Sequence, residues 1–422
     1  MRGPPNQPST FWAPCAASVS PTTMRRMSNA MSMTPTYPLP VESIREQLPS
    51  TRAAAYLNTG TAGPIPALSA AAMAEEARAE LETGRIHPTG FGLLRERISA
   101  LRAELAALVG AEPAAAALTQ GTTAGMNIAV AGLDWKPGDE VVTTTQEHGG
   151  ALLPLYVLHR RHGVKVSFAD VGNGEAGRAL EALGRAIRPG VKAVVLSHVL
   201  YTTGATLPLK EISDLAHAAG CLVIVDGAQS VGAIPVDAPS LGADAYAFSG
   251  QKWLCGPEST GGLYIAPQAL ERFEPTFISF MGVDHDRYRW DDPSVLPVSP
   301  GAARFEFALP YRPSVAGLLA SLTWVRDQVG RDGALRQIGE NAHYCWERAQ
   351  EVPGAEVLTP GGQLSGLIAV RVAGQDPVKT VERLAAEGVL IRMIPENGAL
   401  RISTGFYNTP EEIDRTLQMI GS

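Results

Sequence analysis

The sequence is short of cysteine, of basic charge and of long apolar runs, and each shortage excludes a class of protein. No apolar run in its 422 residues approaches the ~18 residues that a membrane-spanning helix needs. The net charge of −7 leaves no basic footprint for a nucleic acid. The four cysteines are scattered without metal-ligand spacing, which is typical of a reduced cytoplasmic protein: Cys15, Cys221, Cys255 and Cys345. We therefore expect no metal, membrane or nucleic-acid partner.

Lysine is also scarce, and only six occur in the chain. Five stand in turns or at the ends of periodic segments, where we expect them to face solvent: Lys136, Lys165, Lys192, Lys210 and Lys379. Lys252 differs, because it follows the apolar run AYAFS and precedes Trp253. A lysine in such a place either extends its amine to the surface or uses it as a nucleophile. This stretch alone leaves both readings open.

Composition and periodicity divide the chain into parts. Residues 1–34 are rich in Pro, Ser, Thr and Met, lack the apolar core of a secretory signal, and are expected to be a disordered tail. After a short N-terminal segment (35–66), strand and helix signals alternate through a large domain expected at 67–295. A smaller C-terminal domain follows at 296–422, with a long helix predicted from Arg331 to Ala349.

Six short apolar runs in the large domain predict strands. They are EVVTTT (140–145), KVSFAD (165–170), KAVVLSH (192–198), CLVIVD (221–226), AYAFS (245–249) and GGLYIA (261–266). Strands that alternate with helices indicate an α/β domain with a mostly parallel sheet, and near-continuous apolar strands indicate that both faces are covered. Ligands of such sheets bind beyond the carboxyl ends of the strands, so the polar residues at those ends belong together.

Three polar motifs stand at or near these ends. LTQGTTAGMNIAV (118–130) places Thr122 and Thr123 at a helix N-terminus, which either cradles a phosphate or is simply capped. Asp226 ends a buried strand, where a carboxylate either meets a cation such as a protonated pyridine nitrogen or caps the next turn. His148 follows another strand, where its ring either stacks on a flat ligand or caps a helix.

The order of these motifs resembles a known group of enzymes. A phosphate turn, a histidine, a strand-end aspartate and then a lysine resemble fold type I enzymes that use pyridoxal 5′-phosphate. VDGAQSVGAIPVD, AFSGQKWLCGPESTGGLYI and LRISTGFYNTPEEID resemble the class V aminotransferase / cysteine desulfurase family over about residues 56–420. Within it the chain is most similar to the cystine/cysteine C–S lyases, through YLNTGTAGPIP, GLDWKPGDEVVTTTQEHGG, LSHVLYTTGATLPL, RFEFALPYRPSVAGLLASL and LIRMIPENGALRIS.

The resemblance implies a fold and a role for each candidate residue. The large domain would hold a mostly parallel seven-stranded sheet, and residues 35–66 would contribute to the active site and to the small α/β domain. Lys252 would bind the cofactor covalently, Asp226 would keep its pyridine nitrogen protonated, and His148 would stack on its ring. The other cofactor contacts would be Thr122, Thr123, Gln229, Ser249 and Gln251, and the substrate contacts would be Arg401, Arg392 and Asn58.

Two departures from the family pattern narrow the expected function. Many relatives have histidine before the lysine, where this chain has Gln251, so we expect weaker phosphate anchoring. Cysteine desulfurases carry a nucleophilic cysteine near the C-terminal arginine strand, but IRMIPENGALRIS (391–403) has none, and Cys255 lies on another segment. The sequence therefore predicts an enzyme that cleaves a C–S bond of cysteine or cystine by β-elimination.

Other readings stay open on the residues alone. A class V aminotransferase or an isopenicillin N epimerase-like enzyme needs the same residues, and a non-catalytic protein on this fold is the alternative from another class. We further expect a cytoplasmic homodimer. The aromatic-rich segment 273–297 breaks the strand–helix rhythm and indicates either a surface loop or a subunit interface.

Overall fold

The chain, described by a computed structural model over residues 39–289 and 291–422, alternates helices with strands. The helices are α1 (Val41–Glu46), α2 (Ser50–Ala53), α3 (Ala67–Thr83), α4 (Pro88–Ala107), α5 (Thr122–Ala131), α6 (Gly149–His162), α7 (Ala176–Ala186), α8 (Leu209–Ala218), α9 (Arg312–Trp324), α10 (Arg331–Ala349), α11 (Pro377–Ala386) and α12 (Pro410–Gly421). The strands are β1 (Ala55–Tyr56), β2 (Ala116–Thr119), β3 (Glu140–Thr144), β4 (Lys165–Ala169), β5 (Val191–Ser197), β6 (Leu222–Asp226), β7 (Ala245–Ser249), β8 (Gly261–Ile265), β9 (Ala355–Val357), β10 (Leu367–Val372), β11 (Val389–Leu390), β12 (Arg392–Ile394) and β13 (Ala399–Ser403). The predicted tail, residues 1–34, lies outside the described residues.

A seven-stranded sheet runs in the order β2-β8-β7-β6-β5-β3-β4. Only β8 is antiparallel to its neighbours β2 and β7, and the other pairs are parallel. Strands β5 to β8 are buried along almost their whole length, because α5, α6 and α8 pack on the sheet with α4. The predicted α/β fold with a mostly parallel sheet is therefore confirmed.

A second, antiparallel sheet has the order β12-β13-β10-β9, and α10 and α11 pack on its strands. α10 spans Arg331–Ala349, as the periodicity predicts. α12 begins with a capping box in which Thr409 and Glu412 bond each other's backbone N–H, and Pro410 occupies the first turn.

The N-terminal segment joins both parts of the fold. β1 pairs in parallel with β11, next to the second sheet, and Asn58 bridges to Ser403 at the end of β13. Further on, the N–H of Gly63 donates to the carbonyl of Gln251 at 2.7 Å. The loop between β1 and α3 therefore lies between the end of β7 and the end of β13. The domain boundaries at 66/67 and 295/296 stay a prediction.

Within the described ranges, no helix is long and apolar enough to cross a membrane. Among the same residues, no cluster of three or more His, Cys, Asp or Glu side chains has the geometry of a metal site.

Candidate active site

The carboxyl ends of four neighbouring parallel strands meet at one edge of the large sheet. β3 ends at Thr144, β5 at Ser197, β6 at Asp226 and β7 at Ser249. The register places Ser197 directly beside Asp226, and Asp226 beside Ala247. The candidate residues that follow each strand are therefore gathered at this edge, as expected for a doubly wound sheet.

A helix N-terminus with hydroxyl groups occupies one side of the edge. The backbone N–H of Thr122, the first residue of α5, donates to Ser249 Oγ at 3.0 Å, and the two hydroxyl oxygens are 2.7 Å apart. Gly121 precedes the helix with φ +130°, and a Cβ there would lie 3.3 Å from Ser249 Oγ. Thr123 is exposed beside them. N–H groups and hydroxyls at a helix N-terminus form an anion cradle.

Lys252 lies three residues beyond the end of β7 and is partly buried. Burial lowers the pKa of Lys252 to about 8, and the charges of Arg401 and Arg392 act in the same direction against that of Asp226. A large part of its amine is therefore unprotonated, and nucleophilic, just above neutral pH. Four of the other lysines are exposed. Lys192 is the exception to the expected exposure, because its amine donates to the Asp139 carboxylate at 2.7 Å and is held half-buried.

Asp226, the last residue of β6, is buried, with only 4% of its surface exposed. Its Oδ1 accepts the N–H of Ala228 at 2.9 Å. Burial raises the pKa of Asp226, and the nearby charge of Lys252 opposes that rise. Among the described residues the carboxylate forms no ion pair within 4.0 Å, so a cationic ligand group would be stabilised strongly beside it.

His148 is the N-cap of α6. Its Nδ1 accepts the N–H of Gly150 at 3.0 Å, which leaves the proton on Nε2. The ring is partly exposed and meets Tyr201 edge to face, with centroids 5.1 Å apart. Burial and the charge of Lys252 lower the pKa of His148, so the ring is neutral at physiological pH. The capping and ring-stacking readings of the sequence are thus compatible, because the cap uses one nitrogen and leaves the ring face available.

The two glutamines of the site have different surroundings. Gln229 Nε2 donates to the carbonyl of Gly60 at 2.8 Å, and its Oε1 accepts the indole N–H of Trp253 at 3.0 Å. Its amide therefore already holds the β1–α3 loop against the segment that carries Lys252, and its expected contact with the cofactor stays a prediction. Gln251 has a buried Oε1 without a hydrogen-bond partner among the described residues.

Arg401 on β13 is the largest fully buried polar side chain described, with 1% of its surface exposed. Its Nη1 donates to the carbonyl of Tyr201 at 3.2 Å, and its Nη2 donates to Thr61 Oγ1 at 3.1 Å. Nε has no partner among the described residues, and no carboxylate of those residues pairs with the guanidinium. Burial and the charge of Arg392 lower the pKa of Arg401 to about 9, so it stays cationic at neutral pH.

Arg392 lies directly opposite Arg401 across the β12–β13 pair. Two like charges in such a position destabilise a sheet unless an anion lies between them. Both guanidinium groups donate to one acceptor, Thr61 Oγ1, Arg392 at 3.4 Å. The Thr61 hydroxyl in turn donates to Asn58 Oδ1 at 2.7 Å. The predicted substrate residues Asn58, Arg392 and Arg401 are thus brought together on one hydroxyl.

Two residues of this constellation are missing from the sequence-based set. Thr61 joins the two arginines to Asn58, and Glu147, with 5% exposure, accepts the hydroxyl of Ser197, the register neighbour of Asp226. The motif NTGTAG contains Thr61, but nothing in its pattern distinguishes this threonine from its neighbour Thr59. Glu147 precedes His148 in a turn, where a glutamate is ordinarily solvated.

The residues fit pyridoxal phosphate. The donor set of Thr122, Ser249 and the α5 N-terminus suits a phosphate. A Cβ on Gly150 would lie 2.7 Å from Thr123 Oγ1, so this glycine keeps the wall of the cradle open. A buried carboxylate and a lysine amine with a lowered pKa meet the other needs of the cofactor. The fold and the site together define a fold type I enzyme that uses pyridoxal phosphate.

Comparisons with known proteins identify the family. The family model "Aminotransferase class-V" matches residues 57–416. The chain is 31% identical over 382 residues to isopenicillin N epimerase of Streptomyces clavuligerus, covering 85% of this chain and 92% of that protein. It therefore belongs to the class V aminotransferase family, as the motifs predict.

Two solved structures are similar over almost their whole length. One is a mutant of C-DES with glycine covalently linked to its PLP cofactor (TM-score 0.84, 28% identity, 90% of this chain and 99% of that chain). The other is the cystine C–S lyase C-DES with its reaction product cysteine persulfide (TM-score 0.83, 28% identity, 89% and 99%). The predictions of a pyridoxal-phosphate-dependent enzyme and of its cofactor are confirmed.

Proposed function

We propose that the protein is a C–S lyase that cleaves cystine or cysteine by β-elimination. The observation that carries the proposal is the buried, unpaired Arg401 beside Arg392, with no accessible thiol among the described residues. The pair of guanidiniums would bind the substrate carboxylate, which suits their fork geometry. The likeness to the cystine C–S lyase C-DES, whose reaction product is cysteine persulfide, supports the same reaction.

Each site residue has its own role in the proposed reaction. When bound, the cofactor supplies an electron sink for the charge left on the substrate's α-carbon. Lys252 takes the α-proton on its amine, which its lowered pKa makes a competent base near neutral pH. Asp226 would hold a proton on the ring nitrogen, and His148 would stack on the ring. Arg401 and Arg392 fix the carboxylate, and so orient the Cα–H bond toward Lys252.

Water is the only reactant that the elimination needs besides the substrate. The Cα–H proton goes to Lys252, the Cβ–S bond breaks, and the sulfur leaves with the electron pair. Cystine and water then give cysteine persulfide, ammonia and pyruvate, the last two after hydrolysis of the released three-carbon enamine. No oxidant or reductant is consumed.

The thiols of the described residues support direct departure of sulfur from the substrate. Cys221, Cys255 and Cys345 are all buried. Burial raises the pKa of Cys255 to about 12, so its sulfur is neither a thiolate nor accessible as a nucleophile. The β12–β13 connection contains no cysteine. A persulfide relay on the enzyme is therefore disfavoured.

An epimerase is the second candidate, because the 31%-identical relative is an isopenicillin N epimerase. Epimerisation needs only removal and return of the α-proton, and the same lysine serves. Two adjacent arginines also suit a substrate with more than one carboxylate.

We also propose a cytoplasmic homodimer. Apolar side chains in segment 273–297 support an interface, since Phe277, Ile278 and Phe280 are 69%, 40% and 50% exposed.

The test is product analysis of the holoenzyme with L-cystine, L-cysteine and isopenicillin N, in D₂O. Pyruvate and persulfide from cystine are expected. Deuterium incorporation with inversion of isopenicillin N, without pyruvate from either sulfur amino acid, would replace the lyase with the epimerase. An α-amino acid formed from an added keto acid would instead indicate an aminotransferase.

A further inference from the structure

Glu147 is a buried carboxyl that the proposed reaction does not use. It lies in the turn after β3, directly before His148, with 5% of its surface exposed. The hydroxyl of Thr144, at the end of β3, donates to Oε1 at 2.7 Å. The hydroxyl of Ser197, at the end of β5, donates to Oε2 at 2.5 Å. Both carboxyl oxygens are thus held, and the carboxyl joins the ends of two adjacent strands.

This carboxyl lies next to Asp226. Ser197, which binds Glu147, is the register partner of Asp226 across β5 and β6, and the N–H of His198 donates to the carbonyl of Asp226 at 3.0 Å. Among the described residues no cation pairs with Glu147. Two buried carboxyls therefore lie close together at the carboxyl ends of neighbouring strands, and their negative charges repel each other when both are ionised.

The other titratable side chains near Glu147 and Asp226 are His148, Lys252, His198 and Tyr246. His148 caps α6 and is neutral, and the charge of Lys252 acts on both His148 and Asp226. His198 on β5 is neutral, because burial lowers its pKa to about 4, and its Nδ1 bonds the Tyr246 hydroxyl of β7 at 2.7 Å. None of these groups neutralises a charge on Glu147, so its own protonation decides the charge next to Asp226.

We propose that Glu147 is a positioning residue that acts through Asp226, and that its charge sets how firmly the proton is held on the cofactor's ring nitrogen. With Glu147 protonated, Asp226 alone faces the ring nitrogen. With Glu147 ionised, a second negative charge is added next to Asp226, and a proton on the ring nitrogen would be held more tightly. This role is the same for a lyase and for an epimerase, since both rely on the ring as an electron sink.

The protonation state of Glu147 changes within the physiological pH range. Burial raises the pKa of Glu147 to about 7, and the charge of Asp226 adds to the rise, while the hydroxyls of Ser197 and Thr144 oppose it. The carboxyl is therefore mostly neutral at pH 6 and mostly ionised at pH 8. Asp226 would stay ionised over the same range, because a cationic ring nitrogen beside it would favour its charged form.

The experiment is a pH titration of holoenzyme reconstituted with pyridoxal phosphate that is ¹⁵N-labelled at the ring nitrogen. Its ¹⁵N chemical shift is followed from pH 5.5 to 9, without substrate. In the wild type the shift should show a step near pH 7. Glu147→Gln, which keeps a hydrogen-bonding side chain but cannot ionise, should abolish that step. Glu76→Gln removes another buried carboxylate, which pairs with Arg97 on the distant α3–α4 pair, and should keep it.

A second variant covers the case in which Glu147→Gln does not fold. Ser197→Ala removes one donor to the ionised carboxylate, so the step should move upward by about half a pH unit to one unit. A step that persists in Glu147→Gln, a step that does not move in Ser197→Ala, or no step in the wild type would each overturn the proposal. None of these outcomes depends on which amino acid the enzyme turns over.

Discussion

At the residue scale, the site concentrates charges that burial makes costly. Lys252 and Asp226 lie at the carboxyl end of the large sheet, and Arg401 comes from the second sheet; the pKa of each group shifts in the direction that favours its neutral form. Desolvation is the largest cause in all three cases, so a bound anion or cation that restores the lost solvation is stabilised there. The same shifts make Lys252 reactive near neutral pH, which a surface lysine is not.

The pKa of Lys252 predicts how covalent attachment of the cofactor depends on pH. Only the neutral amine attacks the cofactor's aldehyde, so the attachment rate to apoenzyme should rise with pH and reach half its maximum near pH 8. Arg392→Gln removes one of the charges that lower this pKa, so the midpoint should move to higher pH. Arg371→Gln, an exposed arginine that pairs with Glu356, is the matched control and should leave it in place.

Stopped-flow absorbance at the pyridoxal phosphate bands measures the rate, and borohydride reduction with peptide mapping identifies the lysine. Labelling of a lysine other than Lys252, or a midpoint near the ordinary lysine pKa, would contradict the assignment.

Asp226→Asn should impair turnover far more than folding. The amide still accepts the N–H of Ala228 but carries no charge for the ring nitrogen. Loss of a charge-assisted bond of about 1.5–3 kcal/mol predicts a fall in kcat of about 10- to 150-fold or more. The rates are compared at equal cofactor occupancy, measured by absorbance. Comparable turnover under that condition would remove Asp226 from the mechanism.

At the element scale, the sequence predicts the long, strongly patterned elements and misses the short ones. Six strands of the large sheet begin and end within about a residue of their apolar runs, because each run is β-branched or aromatic and closed by a turn. β2, with the sequence AALT, is missed because alanine carries no strand signal. β1, β9, β11 and β12 have two or three residues each and exist only through their pairing partners, which periodicity does not reveal.

The residues of the site likewise divide into those that the sequence predicts and those that it misses. The side chains that end strands, such as Asp226, are visible in the sequence because a polar residue interrupts an apolar run. Thr61 and Glu147 are not, because their importance comes from the meeting of loops distant in sequence. The pairing of Arg392 with Arg401 is likewise a consequence of the short β12–β13 register.

The turn before α5 gives a prediction at this scale. Gly121 adopts φ +130° and ψ −179°, a conformation almost restricted to glycine, so Gly121→Ala should strain the backbone by about 1–3 kcal/mol. Gly138→Ala, also at positive φ (+91°) but with open space around it, is the control. Both should lower the free energy of unfolding, but only Gly121→Ala should raise the cofactor dissociation constant, by tenfold or more. Equal cofactor affinity in the two variants would argue against the phosphate cradle.

At the scale of the whole molecule, two sheets and an N-terminal segment meet around one site. The large sheet supplies Lys252 and Asp226, the second sheet supplies both arginines, and the β1–α3 loop supplies Asn58 and Thr61. A substrate that contacts residues of both sheets and of the β1–α3 loop would therefore couple the positions of the two sheets and the loop.

The exposed apolar side chains Phe277, Ile278 and Phe280 predict a dimer. Sedimentation at assay concentrations should give twice the chain mass of 44.5 kDa. Phe277→Asp places a charge in the proposed interface and should increase the monomer fraction, whereas Leu81→Asp, an 84%-exposed leucine on α3, should not. A monomer with full activity would exclude an interface that completes the site.

The most direct test of the account is pyruvate release from cystine by a variant in which all four cysteines are replaced by alanine or serine. If sulfur leaves directly from the substrate, turnover should stay within roughly tenfold of the wild type, about 1.4 kcal/mol on the barrier, with one persulfide per pyruvate. Cys255→Ala alone, with cofactor bound and the fold intact, should also stay active. Complete loss of pyruvate in that single variant, or alanine as the product in place of pyruvate in the wild type, would contradict direct elimination.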